Sequence, residues 1–129
     1  IACIKKLERD RVIDHLWDKG HTLGWEVESL IKEAGLQESI TIGGLAPRMT
    51  LGFKDNMVRT LFMSEMAQNG VLIINSHNLS YSHKDPEIKR ILTAYERTLT
   101  TISVALDNGD IADVVGNSIV EAAPLRMTT

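Results

Sequence analysis

The chain has 129 residues, of which 43% are hydrophobic and 24% charged, and its 17 acidic and 14 basic side chains give a formal net charge of −3. A single soluble domain of this size buries roughly two-thirds of its unfolded surface, so a core can form without disulfides or structural metal. The mild acidity argues against nucleic acid or an anionic membrane as the main partner, no apolar run approaches the roughly 18 residues of a membrane helix, and the lone Cys3 excludes an internal disulfide and suits a reducing, cytoplasmic setting.

The chain opens Ile1-Ala2-Cys3-Ile4 without a Met or an N-cap residue and reads as the end of a helix cut from something longer, with Cys3 an inert buried thiol. From Asp10, a plausible N-cap, Ile13, Leu16, Trp17, Leu23, Val27, Leu30 and Ile31 recur at three-and-four spacing, which predicts a long amphipathic helix ending at Gly35. Gly20 and Gly24 share this stripe. Each costs about 1 kcal/mol relative to Ala in a helix, so they are read as positions where another element approaches closely. Trp17 and Trp25 are read as packing residues of the core or an interface. Ser39–Ile42 and Met49–Phe53 alternate as two strands joined through Gly43-Gly44-Leu45-Ala46-Pro47.

Asp55-Asn56 caps a second helix with Met57, Val58, Leu61, Phe62 and Met66 inward, and Asn69-Gly70 stops it. The continuous apolar run Val71-Leu72-Ile73-Ile74 predicts a third strand, buried on both faces, followed by a polar loop to His83. Asp85 at the N-cap and Pro86 at the first helical position open a last long helix, with Ile88, Ile91, Leu92, Tyr95, Leu99, Ile102 and Leu106 inward and Asn108-Gly109 at its end. A short helix around 111–115 and an extended tail containing Pro124 complete the chain. The order predicts an α+β domain in which helices cover one face of a small, mostly antiparallel three-stranded sheet, leaving an apolar face for another domain or subunit. The domain is assigned to residues 1–109, with 1–8 ending a preceding helix, and 110–129 to a C-terminal extension.

Chemistry concentrates in Ser76-His77-Asn78-Leu79-Ser80-Tyr81-Ser82-His83, a polar loop held between rigid elements and rich in donors and acceptors. Its bland reading is capping of the following helix. His77 and His83 lack the spacing and the further ligands of a zinc site, no Gly-x-Ser-x-Gly serine is present, and Gly43-Gly44 lacks the rest of a dinucleotide or phosphate-loop fingerprint. Arg48, at the mouth of the second strand, can hold a carboxylate or phosphate through two parallel hydrogen bonds; its bland reading is a surface or interdomain arginine.

Residues 44–53 (Gly-Leu-Ala-Pro-Arg-Met-Thr-Leu-Gly-Phe), 61–72 (Leu-Phe-Met-Ser-Glu-Met-Ala-Gln-Asn-Gly-Val-Leu) and 77–88 (His-Asn-Leu-Ser-Tyr-Ser-His-Lys-Asp-Pro-Glu-Ile) together resemble the C-terminal part of class III aminotransferases, nearest the group related to glutamate-1-semialdehyde 2,1-aminomutase. The resemblance implies the small C-terminal domain of a fold-type I pyridoxal-phosphate enzyme, in which the Schiff-base lysine and the cofactor cradle belong to a large upstream domain. It implies an aminotransferase or aminomutase parent, commonly a homodimer, acting on a small amino or oxo substrate with pyridoxal 5'-phosphate as cofactor. This chain would contribute substrate recognition and closure of the site and would be inactive by itself. By position in the family pattern, Arg48, Ser76, His77, Asn78 and Ser80 fall nearest the substrate, and none of the seven lysines sits in a cofactor setting. The aminomutases carry Gln-Phe-Glu-Ala where this chain has Asn75-Ser76-His77-Asn78, which argues against glutamate-1-semialdehyde as substrate. The alternative is a stand-alone, non-catalytic interaction module with the same fold.

Overall fold

The computed structural model describes residues 1–116; the expected tail with Pro124 lies outside them. Helices α1 (Ala2–Arg9) and α2 (Val12–Glu33) lead into a hairpin of β1 (Ile40–Leu45) and β2 (Arg48–Phe53). Helices α3 (Asn56–Gln68), α4 (Asp85–Asn108) and α5 (Ile111–Val115) follow. The hairpin packs on α2 and α3, and α4 packs on the same two helices. The architecture is therefore α+β as expected, but the sheet has two antiparallel strands, not three.

The missing strand is instructive. Helix α3 ends with Gly70 at φ 82°, while Val71 N donates to Met66 O and Gly70 N to Ala67 O, the paired closure by which a left-handed glycine stops a helix. Helix α2 ends the same way at Gly35, with Leu36 N donating to Ile31 O. After Gly70 the apolar run does not pair. Of its four residues only Ile73 enters the core, whereas Leu72 is 92% exposed and Ile74 63%. Pairing begins five residues beyond the glycine: Leu51 N donates to Asn75 O, His77 N to Met49 O and Leu79 N to Pro47 O, around an antiparallel bridge of Thr50 with Ser76. The free edge of β2 is thus satisfied by the polar stretch 75–79 rather than by the apolar one, because an edge needs backbone partners in register and not hydrophobic side chains.

Core residues fall largely as their periodicity requires. Leu23, Val27 and Ile31 of α2 meet Ile40, Met49 and Leu51 of the hairpin, Val58, Leu61, Phe62 and Met66 of α3, and Ile88, Ile91, Tyr95, Leu99 and Ile102 of α4. An aromatic chain crosses this core from Phe53 to Phe62 to Tyr95 to His77, with ring centroids 5.1, 5.5 and 5.6 Å apart. At Gly20 a Cβ would overlap the carbonyl of Ala46, so α2 touches the hairpin turn backbone to backbone, whereas at Gly24 it would make only an ordinary contact with Met49. The close-approach reading holds for the first glycine.

Four local expectations are corrected. Asp10 is not the N-cap of α2: it ends α1, where Lys6 and Arg9 donate to its carboxylate, and Arg11, at φ 47°, makes the corner. Cys3 is exposed, not buried. Trp17 and Trp25 lie outside the core, the latter 72% exposed, so the core half of their reading is corrected and the interface half remains an expectation. Lys84, not Asp85, caps α4, with Glu87 Oε2 accepting from Lys84 N, and this frees Asp85 to pair with Lys19 at 2.7 Å. Among the described residues no helix is long and apolar enough to cross a membrane.

Candidate functional site

Antiparallel pairing decides which loop side chains share a face. Thr50 is paired with Ser76, and side chains two residues apart on an extended strand point the same way, so Arg48, Thr50, Ser76 and Asn78 stand on one face of the hairpin and its appended segment. The Asn78 Nδ2 to Ser76 Oγ distance of 3.5 Å agrees with that placement. Arg48 and Asn78 are exposed and Ser76 is half-buried. Arg48 has no ion-pair partner among the described residues, which leaves its planar donor fork available.

His77 points the other way. It is 8% exposed, and its Nε2 lies 2.8 Å from Tyr95 Oη. Burial, with a smaller contribution from the nearby His83, lowers its pKa to about 4, so the ring is neutral at physiological pH. Burial likewise raises the pKa of Tyr95, so its phenol stays protonated. This neutral pair fastens the 75–79 segment to α4. Ser80 is occupied differently: its backbone N–H donates to His83 Nδ1, and its Oγ lies 3.0 Å from the same atom.

The structure thus brings three of the five candidate residues, Arg48, Ser76 and Asn78, onto a common face, turns His77 inward, and commits Ser80 to a local turn. Ser76, His77 and Asn78 also line a cleft of about 450 Å³ beside the N-terminal half of α4, with His83, Glu87 and Arg90 on its walls.

Three anchoring residues were not legible in the sequence. His15 Nε2 donates to the carbonyl of His83, its ring meets Tyr81 edge-on at 5.1 Å, and Lys19 bridges Asp18 and Asp85. Lys84 Nζ stands 3.3 Å from the centroid of the Tyr81 ring. His15 and Lys19 clamp residues 81–85 to α2, and the Lys84–Tyr81 contact stiffens the loop itself. The only sequence sign of His15 and Lys19 was their spacing of one helical turn, and helix periodicity alone does not reveal a partner in a loop some seventy residues away.

No family model matches the chain. It is 27% identical over 113 residues to the 3-aminobutyryl-CoA aminotransferase of Cloacimonas acidaminovorans (strain Evry), an alignment covering 82% of this chain and 27% of that protein. It superposes with a TM-score of 0.69, at 17% identity, on the PLP internal aldimine form of the Sphingopyxis sp. MTA144 FumI protein, covering 87% of this chain and 28% of that one. In sequence the chain is similar to one segment of an aminotransferase, and in fold to one segment of a protein that carries PLP as an internal aldimine. It spans about a quarter of the length of either protein.

The described residues do not by themselves fit a pyridoxal-phosphate site. Six of the seven lysines are exposed, and the half-buried Lys19 is held between two aspartates that keep its ammonium charged, the opposite of what an imine-forming amine requires. Nor do they contain a group of three His, Cys, Asp or Glu side chains placed to hold a metal ion.

Proposed function

We propose that this chain is the small, substrate-facing domain of a pyridoxal-phosphate-dependent aminotransferase, joined in the complete enzyme to a large domain that carries the Schiff-base lysine and the cofactor. One observation carries this reading: a likeness to an aminotransferase in sequence, over 82% of the chain, coincides with a likeness in fold, over 87% of it, to a protein solved as its PLP internal aldimine. In the parent, the cofactor acts as electron sink for amino-group transfer, while the protein supplies binding and orientation.

Within that division the geometry supports the following roles for this chain. Arg48 binds a carboxylate or another oxyanion of the amino or oxo substrate through its unpaired guanidinium. Ser76 and Asn78 supply neutral donors and acceptors on the same face. His77 is a positioning residue: bonded to Tyr95, it holds the backbone between Ser76 and Asn78 against the core. Ser80 and His83 shape the end of the loop, and the clamp from His15 and Lys19 keeps that end from swinging over the face.

The test is to express the complete reading frame containing this chain, and the 129-residue chain alone, and to assay both for amino transfer with added pyridoxal phosphate. Activity in the complete protein alone, with KM raised by Arg48→Ala, supports the reading. Turnover by the chain alone, or a complete protein that neither binds the cofactor nor transfers an amino group, overturns it; the second result favours the non-catalytic interaction module.

A further inference from the structure

A second cleft, of about 540 Å³, opens where the end of α3 meets α4. Its walls carry Lys89, Arg90 and Arg97 from α4, with Asn69 and Thr93, and no carboxylate. None of the three cations has an ion-pair partner among the described residues, in a chain whose overall charge is negative. The arrangement comes from helix geometry. Arg90 and Arg97 are two turns apart, which returns them to one stripe with their Cα atoms separated by roughly 10 Å along the axis, and Lys89 flanks the first. Lys89, Arg90 and Arg97 are all exposed, and like charges aligned on one helix repel one another, so an anion seated between them relieves that repulsion. Guanidinium forks match phosphate oxygens in pairs, and long flexible stems let groups that start this far apart converge on one ligand.

We propose that the α3–α4 cleft is a binding site for a small molecule bearing a diphosphate, held by Arg90 and Arg97 with Lys89 as a third charge. The site is separate from the face that carries Arg48, and the inference stands whether or not the aminotransferase reading does. Arg90 also lines the neighbouring cleft beside Ser76 and Asn78, so a ligand anchored here by its diphosphate can extend its other end toward those residues.

The test is an NMR titration of the full 129-residue chain with inorganic pyrophosphate and, separately, with ADP, at constant ionic strength. The expected result is saturable movement of the amides of residues 69–71 and 89–97, with affinity reduced about tenfold or more when Arg90→Gln and Arg97→Gln are combined. Tighter binding of ADP than of pyrophosphate assigns the site to a nucleotide, and the reverse order to a diphosphate on another carrier. Failure of both probes to move these amides overturns the proposal. So does movement that persists unchanged in the double variant, whose fold is verified by its remaining amide spectrum.

Discussion

The hairpin and the stretch from Val71 to Leu79 start from similar material, short and rich in β-branched residues, and end differently. In the hairpin, Ile40 faces Phe53 and Ile42 faces Leu51, a register fixed by a two-residue connection, so these residues and Met49 fall on the face that α2 and α3 cover, while Leu45, opposite Arg48, stays exposed. The Val71–Ile74 run has no local partner. It is delivered to the sheet by the stop of α3 at Gly70, arrives out of register, and leaves two of its apolar residues in solvent while the polar residues behind it form the ladder. The difference teaches that a strand is made by an available edge in register. An apolar run states only a preference for burial. The candidate face spans both regions, Arg48 from the first and Ser76 with Asn78 from the second, so its geometry depends on how each is fastened to the helices.

The largest effect should come from breaking the seat of the hairpin. Gly20→Ala forces a methyl into the Ala46 carbonyl, a backbone atom that cannot rotate away, and should cost about 3 kcal/mol in urea unfolding. A loss below ~1 kcal/mol would mean that α2 and the turn are not in backbone contact.

The second segment can be loosened by acid. His77 is neutral in the fold with a pKa of about 4, against 6.5 for the free side chain. Between these values the unfolded chain binds the extra proton, so stability falls as pH drops from 7 toward 4 and is fully present above about 6.5. The expected loss between pH 7 and pH 5 is about 2 kcal/mol, and His77→Gln should abolish that slope while leaving the acid transition of the carboxylates at lower pH. An unchanged slope in the variant would show that His77 does not fasten the segment.

Smaller effects sharpen the contrast. Asp55 Oδ1 accepts from the N–H groups of Met57 and Val58 at 2.9 Å, directly after β2, and Asp55→Ala should cost about 1 kcal/mol by chemical denaturation. Gly24→Ala, where a methyl meets only Met49 at an ordinary distance, should raise stability by up to about 1 kcal/mol. Together with Gly20→Ala it forms an internal control, since the two substitutions lie one helical turn apart and are expected to differ in sign.

The helices were legible because their signals are local. Asp55 caps α3, Gly35 and Gly70 stop α2 and α3, and the spacing of Leu23, Val27 and Ile31 marks a buried stripe. Where these expectations failed, a side-chain partner had decided the outcome, distant in one case and local in the other. Asp85 reads as an N-cap, yet its carboxylate pairs with Lys19 on α2; Asp10 reads as a helix start, yet its neighbours Lys6 and Arg9 hold it at a helix end. The candidate site was half legible. The polar loop stood out by composition, but alternation within it could not be assigned until its edge partner was known, and only the Thr50–Ser76 bridge separates Ser76 and Asn78, outside, from His77, inside. Arg90 and Arg97 carry no signal in the sequence, because a helical cation is ordinarily solvated and nothing in the chain's pattern shows that the end of α3 forms a cleft beside them.

The most direct test of this division is a paired measurement on the complete protein that our proposal assigns this domain to: amino-transfer kinetics and thermal unfolding for Arg48→Ala and His77→Gln. If the outward face holds substrate and the inward histidine holds the face, Arg48→Ala lowers kcat/KM about tenfold or more with an unchanged Tm, and His77→Gln lowers Tm and loses the acid-dependent slope. An Arg48→Ala enzyme with unaltered kcat/KM, or one that loses stability as His77→Gln does, would contradict the account.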